Sequence, residues 1–283
     1  MIATLRDVLA EADREGSAVG AFTVVTREDI QGTLAAAEEL GRSVILQASP
    51  KQLEAAGLDE LAQEMVRAAE RSTVPVVVQL DHGDSFEIAC RCLRRGFSSV
   101  LIDGSLLPFD ENIELTSRVV AVAHALGSSV EGELGHIGGT EDDVTTESSD
   151  LTTVDEAVNF VEATGIDALA VAIGNAHGTY RTTPRLELGR AAEIYQAVPV
   201  PLVLHGGSSL AEETIREAIK AGFRKINIGT ELKTAHTDAL RQFLAANPEQ
   251  FDPRAYLPIV RGAVRRLAAR KMMLFSSPGV AAS

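Results

Sequence analysis

From residue 19 onward the chain alternates between two patterns. Short runs of apolar and β-branched residues give way to longer runs in which apolar side chains recur with a helical period. The short runs predict strands at Val19–Val25, Ser43–Gln47, Val74–Leu80, Ser99–Ile102, Ser129–Leu134, Ala168–Ile173, Pro201–Leu204 and Lys225–Ile228. The longer runs predict helices at Arg27–Leu40, Asp59–Ala69, Phe86–Arg94, Glu111–Ala125, Thr153–Ala163, Leu186–Ala197, Ala211–Ala221 and Glu231–Ala246. Gly41, Gly96, Gly127, Gly165 and Gly222 follow helices, where a left-handed glycine ends the last turn. The strands are nearly continuous in apolar residues, as strands covered on both faces must be. Eight strand–helix units in succession predict an α/β fold, a (β/α)8 TIM barrel, which typically takes about 250 residues. A doubly wound sheet is the alternative; it needs fewer strands or a second domain, and no linker divides the chain. The expectation is therefore one barrel domain over residues 1–283, with a C-terminal helical extension at Pro253–Phe275 and a small, polar, mobile tail from Ser276. The segment His136–Thr152, after the fifth strand, is too long and polar for a turn. It reads as a lid over the site or as a solvated excursion.

Composition narrows the function. Aromatic residues make up 4% of the 283 residues and Trp is absent, so the core is aliphatic. Twenty-six basic against forty acidic residues give a net charge of −14. Such a surface repels phosphate backbones and anionic bilayers, so neither nucleic acid nor membrane is an expected partner. No apolar run approaches the roughly 20 residues of a bilayer span, and Met1–Asp7 carries charge too early for a signal peptide. Cys90 and Cys92 point to different sides of one predicted helix and read as packing residues rather than a disulfide or metal pair. Together these features predict a cytoplasmic protein.

In a barrel the C-terminal ends of the strands converge on the active site. Those ends carry Asp81-His82-Gly83, Asp103-Gly104-Ser105, Glu131 and Glu133, Gly174–Gly178 with His177, His205–Ser208, and Asn227–Thr230. One strand-end histidine is usually a satisfied core residue. Three from different strands with Glu133 nearby fit a catalytic Zn²⁺ site of neutral imidazoles with an open position. Asp81 reads as a proton-transfer group, or as a carboxylate that orients an imidazole. Gly206-Gly207-Ser208 and Gly229-Thr230 each lead into a helix. They read as anion-binding turns of the kind barrels use for phosphate after strands seven and eight, or as glycines needed only for turning. None of Lys51, Lys220, Lys225, Lys233 and Lys271 ends a predicted strand, and Lys225 begins the eighth on the opposite rim. A Schiff-base mechanism is disfavoured on that ground.

These residues resemble the class II, zinc-dependent ketose-bisphosphate aldolases, of the fructose- and tagatose-bisphosphate type. The most specific segments are LDHGDSFE (80–87), SVLIDGSLLPFDENI (99–113), EGELGHIGGTEDD (131–143), AIGNAHGTY (172–180), LVLHGGSSL (202–210) and KINIGTELK (225–233). The resemblance implies a lyase that cleaves a phosphorylated ketose to dihydroxyacetone phosphate and an aldehyde through a metal-stabilised enediolate. It implies Zn²⁺ on His82, His177 and His205, with Glu133 binding or neighbouring the metal and a monovalent cation as a further activator. Asp81 would handle the C4 hydroxyl proton, and Glu141 the proton at C3. Gly178, Gly206, Ser208, Asn227 and Thr230 would surround the dihydroxyacetone phosphate half, and Arg254 would reach a neighbouring subunit's distal phosphate in a homodimer or homotetramer.

The chain departs from the family pattern at four positions. Thr23 stands where Asn is usual, Arg181 where a phosphate-binding Lys is common, Gly229 where fructose-bisphosphate enzymes often have Asp, and Thr140 where some members have Glu. These departures point to a pocket altered at its substrate contacts. A ketose phosphate other than fructose 1,6-bisphosphate is open as the substrate, and so is a catalytically silent, sugar-phosphate-binding barrel.

Overall fold

The computed structural model describes residues 1–141, 144–146, 151–178, 185–208 and 210–276, with side chains left aside at 139–141 and 144–146. Eight parallel strands close into a barrel. They are β1 (Val19–Thr23), β2 (Val44–Ala48), β3 (Val76–Gly83), β4 (Ser99–Ile102), β5 (Ser129–Leu134), β6 (Ala168–Val171), β7 (Leu202–Leu204) and β8 (Phe223–Ile228). Each pairs with its neighbours in chain order, and β8 closes on β1 in the register Val19↔Lys225 to Phe22↔Ile228. The doubly wound alternative is thereby excluded. The predicted helices Arg27–Leu40, Phe86–Arg94 and Pro253–Phe275 have the expected bounds. The five predicted glycine caps all have positive φ, from 60° at Gly41 to 110° at Gly222. No helix among the described residues is long and apolar enough to cross a membrane. Both cysteines are free, and burial pushes the Cys92 thiol up to about 12, which makes it inert.

Three elements differ from the sequence expectation. Helix Leu5–Glu15 was not anticipated, although Thr4 caps it, Gly16 closes it, and Leu5, Val8, Leu9 and Ala12 recur at helical spacing. It plugs the N-terminal mouth of the barrel, packing its apolar face on Val19, Ala21, Ile45, Val77, Ala168, Ala170 and Val203. A short helix, Pro50–Ala56, follows β2 with Pro at its first turn. Part of the long connection after β5 forms strands rather than loop. Gly138–Glu141 and Val144–Thr146 pair as antiparallel strands, and the first also pairs in parallel with Ala176–His177. The predicted mobile tail, from 277 onward, lies outside the described residues.

Side chains two apart on a strand share a face, and this layers the barrel interior. Ile45, Val77 and Val203 lie in the apolar layer over the plugging helix. Two residues further along the same strands come Gln47, Gln79 and His205, all fully buried. The polar layer therefore lies toward the C-terminal rim, with apolar packing sealing it from below.

At that rim, Asp29 ties two helices together. Its carboxylate accepts from the backbone N–H of Val25 (3.2 Å) and Thr26 (2.9 Å), completing the N-terminal cap of helix Arg27–Leu40. It also lies 2.7 Å from Nδ1 of His236 on helix Thr230–Ala246. The Asp29 hydrogen bond raises the His236 pKa. Burial alone would raise that of Asp29, but His236 and the Thr26 N–H hold it below its usual value. A raised histidine contributes stability in full below its unfolded value of about 6.5 and loses it as pH rises through the folded value. His236→Gln is therefore expected to cost about 1 kcal/mol near pH 6. That cost should shrink steadily toward pH 9 in thermal unfolding compared with the wild-type protein. A pH-independent difference would contradict the ion pair.

Candidate active site

The site begins with an irregularity in β3. Register against β4 shifts between Leu80 and Gly83, and His82 has φ 45°, the only positive φ outside glycine among the described residues. A regular strand would turn Asp81 and His82 to opposite faces. The bulge brings both into the pocket, with His82 Nε2 4.0 Å from Asp81 Oδ1. A left-handed residue with a Cβ costs roughly 1–2 kcal/mol, so surrounding contacts must hold His82 in place. Asp103, at the end of β4, supplies one of them: its Oδ2 is 2.9 Å from His82 Nδ1. Burial would raise the Asp103 pKa, but His82 and Ser105 hold it well below the usual carboxylate range.

His205 leaves the end of β7 fully buried. Its Nε2 is 2.9 Å from Glu131 Oε1, and its Nδ1 is 3.0 Å from His82 Nε2. Burial lowers its pKa to about 4, so it is neutral at neutral pH. Glu131 is also fully buried, yet the ammonium of Lys225 and the His205 hydrogen bond hold its pKa at about 2 against that burial. His177 completes the group from the short strand Ala176–His177. Ring centroids are 5.0 Å apart for His82–His177, 4.7 Å for His82–His205 and 5.6 Å for His177–His205. One nitrogen from each of the three rings lies within 4.8 Å of the others.

The donor chemistry of this trio fits a divalent cation. Carboxylates engage His82 Nδ1 and His205 Nε2, so both are N–H donors and the facing nitrogens present lone pairs. Two lone pairs 3.0 Å apart repel unless a cation, or a shared proton, lies against both. His82, Asp103 and Glu133 form a second grouping of possible ligands. Glu133 is thus brought to the other edge of His82, 3.6 Å from its Nδ1, rather than into the three-histidine cluster.

The remaining predicted residues divide into four groups. Asp81, Thr23 and Asn227 belong to one buried network. Gln47 Nε2 donates to Asp81 Oδ2 at 2.7 Å and to Thr23 Oγ1 at 3.2 Å, and Asn227 Nδ2 is 3.5 Å from Asp81 Oδ1. A Cβ at Gly229 would come within 3.2 Å of Thr23 Oγ1, so these two positions touch. Gly178 (φ 84°) and Gly206 (φ 69°) are turns that only glycine adopts readily. Ser208 is buried and accepts from the Glu231 N–H at 3.4 Å, beside the helix that Thr230 begins. Glu141 ends the strand Gly138–Glu141, whose Gly139 is the register partner of His177. Its side chain is among those left aside, and Arg181 lies outside the described residues. Arg254 is not brought to this cluster's polar network. Its side chain is 91% exposed and pairs with Asp252 at 2.6 Å.

Sequence reading missed three functional neighbours. Gln47 reads only as the end of a strand, and Gln79 only as part of the strand-end run that leads to Asp81, although amides in otherwise apolar strands mark a polar interior layer. Lys225 was placed on the far rim. In fact β8 starts at Phe223, so Lys225 is its third residue and reaches inward, with Nζ 2.8 Å from both Glu131 Oε2 and Asn227 Oδ1.

The same cluster predicts a graded metal response. Asp103→Asn keeps an acceptor for His82 Nδ1, whereas Asp103→Ala removes it. Losing such a partner typically weakens metal binding about 10–100-fold, so chelator competition should rank wild type above Asn and Asn above Ala. Equal affinities across the three would refute the role of Asp103.

A family model described as fructose-bisphosphate aldolase class-II matches residues 3–280. A fructose-bisphosphate aldolase of Thermus caldophilus is 41% identical, with 99% of each chain covered. Among solved structures, the YdjI aldolase from Escherichia coli K12 superposes with a TM-score of 0.88 at 36% identity, covering 99% of both chains. A putative fructose-1,6-biphosphate aldolase from Coccidioides immitis also gives 0.88, at 29% identity, covering 96% of this chain and 95% of its own.

Proposed function

This chain belongs to the class-II fructose-bisphosphate aldolase family and is an aldolase, a carbon–carbon lyase; from that premise we propose that it cleaves a phosphorylated ketose between C3 and C4 at a Zn²⁺ centre held by His82, His177 and His205, with Glu133 beside it. The observation that carries the reading is the convergence of one nitrogen from each of the three rings, with His82 Nε2 and His205 Nδ1 3.0 Å apart. When bound there, the metal ion polarises the ketone carbonyl and offsets the negative charge that develops as the bond breaks. A monovalent cation as activator remains part of the proposal.

Asp81 is the base. Its carboxylate accepts from Gln47 through one oxygen and faces Asn227 through the other, which aims it into the pocket. In cleavage it takes the C4 hydroxyl proton, the C4–O bond becomes a carbonyl, and the C3–C4 electron pair stays with the three-carbon fragment. Glu141 then delivers a proton to C3, giving dihydroxyacetone phosphate; condensation reverses these steps. Backbone N–H groups around Gly178, Gly206, Gly229 and Thr230, with Ser208, Asn227 and Arg181, hold the phosphate of that fragment, since oriented N–H donors at a helix N-terminus favour an anion. Thr23, through Gln47, shapes the pocket beside Asp81. Arg254, exposed on the outer surface, is assigned to a neighbouring subunit's distal phosphate, which makes a homodimer or homotetramer the working form. The chain acts as one barrel domain in the cytoplasm, on a small sugar phosphate rather than on nucleic acid or membrane.

The test is dihydroxyacetone phosphate release from a panel of ketose phosphates of both C4 configurations, with and without a chelator. At least one ketose bisphosphate should be cleaved, with activity lost on metal removal and restored by Zn²⁺. Asp81→Asn should lower kcat about 10²–10⁴-fold with little change in KM. Full activity after verified metal removal would end the metal mechanism. Binding of sugar phosphate without turnover would leave a silent barrel.

A further inference from the structure

Lys225 has no part in the chemistry above, yet it is fully buried in the polar layer of the barrel. An ammonium in such a place is costly unless it is paired and hydrogen-bonded. Two partners meet that need: Glu131 Oε2 and Asn227 Oδ1, each 2.8 Å from Nζ. Gln79 Nε2 donates to the same Glu131 oxygen at 2.7 Å. Two donors thus fasten Oε2 and leave Oε1 directed at His205 Nε2, 2.9 Å away. A carboxylate on one ring nitrogen dictates which tautomer the imidazole adopts and which nitrogen is left for a metal.

We propose that Lys225 is a positioning residue for the metal centre: by fastening Glu131 it keeps His205 in the Nε2–H tautomer, with Nδ1 presented toward the ion. The inference rests on the reading of the three histidines as metal ligands. Lys225 touches neither ion nor substrate and acts only through Glu131. Without it, Gln79 alone holds Oε2, the carboxylate plane can rotate, and His205 loses its fixed acceptor. A purely structural ion pair would behave differently. Replacing it would change stability and leave the tautomer and the metal affinity untouched.

The experiment measures Zn²⁺ affinity by chelator competition for wild type, Lys225→Met, Glu131→Gln and Lys225→Met/Glu131→Gln. Histidine ¹⁵N chemical shifts of the Zn²⁺-loaded proteins report the tautomer of His205. Lys225→Met should fold and lose about 10–100-fold in affinity, the scale on which such outer partners act. Because Lys225 acts through Glu131, the double variant should lose no more than the worse single one. The ¹⁵N spectrum of Lys225→Met should no longer show a single Nε2–H form. Wild-type affinity and tautomer in Lys225→Met would overturn the inference, and so would losses that multiply in the double variant. If Lys225→Met fails to fold, Lys225→Gln, which keeps a polar side chain in the layer but removes the ammonium, is read instead: a loss of that size supports the role and native affinity overturns it. A wild-type protein that takes up no ion would overturn the metal centre and this inference with it. Tight wild-type binding with an indifferent Lys225 would overturn the inference only.

Discussion

Two imidazole nitrogens, His82 Nε2 and His205 Nδ1, are held 3.0 Å apart, and the carboxylates on the far nitrogens of both rings assign lone pairs to the facing pair. Without a cation or a shared proton between them that arrangement is repulsive, and each ring would turn to relieve it. Neither can. Asp103 grips the far side of His82 and Glu131 the far side of His205. Much of the surrounding architecture keeps those two grips in place: the bulge in β3, the left-handed backbone of His82, and the donors gathered on Glu131. Repulsion held in place in this way is preorganisation. On the proposed reading, affinity for a cation would exist before the cation arrives, at the expense of local strain and of charges buried in the barrel.

The layered interior explains how so many charges can lie within a barrel. Apolar side chains and helix Leu5–Glu15 close the lower end, so the polar layer opens only toward the C-terminal rim. Within it, three carboxylates meet donors: Glu131 meets Lys225, Asp81 meets the amides of Gln47 and Asn227, and Asp103 meets His82 and Ser105. The net charge of −14 is carried mostly by acidic residues outside this layer. It discourages polyanions and leaves the pocket, with its three converging histidines and glycine turns, able to take a small phosphorylated sugar.

The barrel was legible in the sequence because buried parallel strands must be apolar on both faces and their helices must end at caps; the first signal recurs eight times and glycine marks five of the caps. The histidines were legible because a barrel brings strand ends together whatever lies between them. What escaped depended on register. Lys225 changes from a rim residue to an interior one when β8 begins two residues earlier, a shift no hydrophobic pattern marks, since Phe223 and Arg224 do not declare which belongs to the strand. That Asp81 and His82 point the same way depends on a bulge, and Gly83 only hinted at it. Helix Leu5–Glu15 was readable from its spacing but lies outside the eight repeats that organised the rest. The pairing of Gly138–Glu141 with Ala176–His177 joins segments far apart in sequence, with too few residues in each to announce a strand.

The central claim is that three strand-end imidazoles form one preorganised metal centre. Crystals of the protein grown with Zn²⁺ and measured on both sides of the zinc absorption edge test it directly. The account predicts one anomalous peak per chain, bonded at about 2.0–2.1 Å to His82 Nε2, His205 Nδ1 and a nitrogen of His177. No peak among the three rings, or an ion bound through His205 Nε2 with Glu131 displaced, would contradict it.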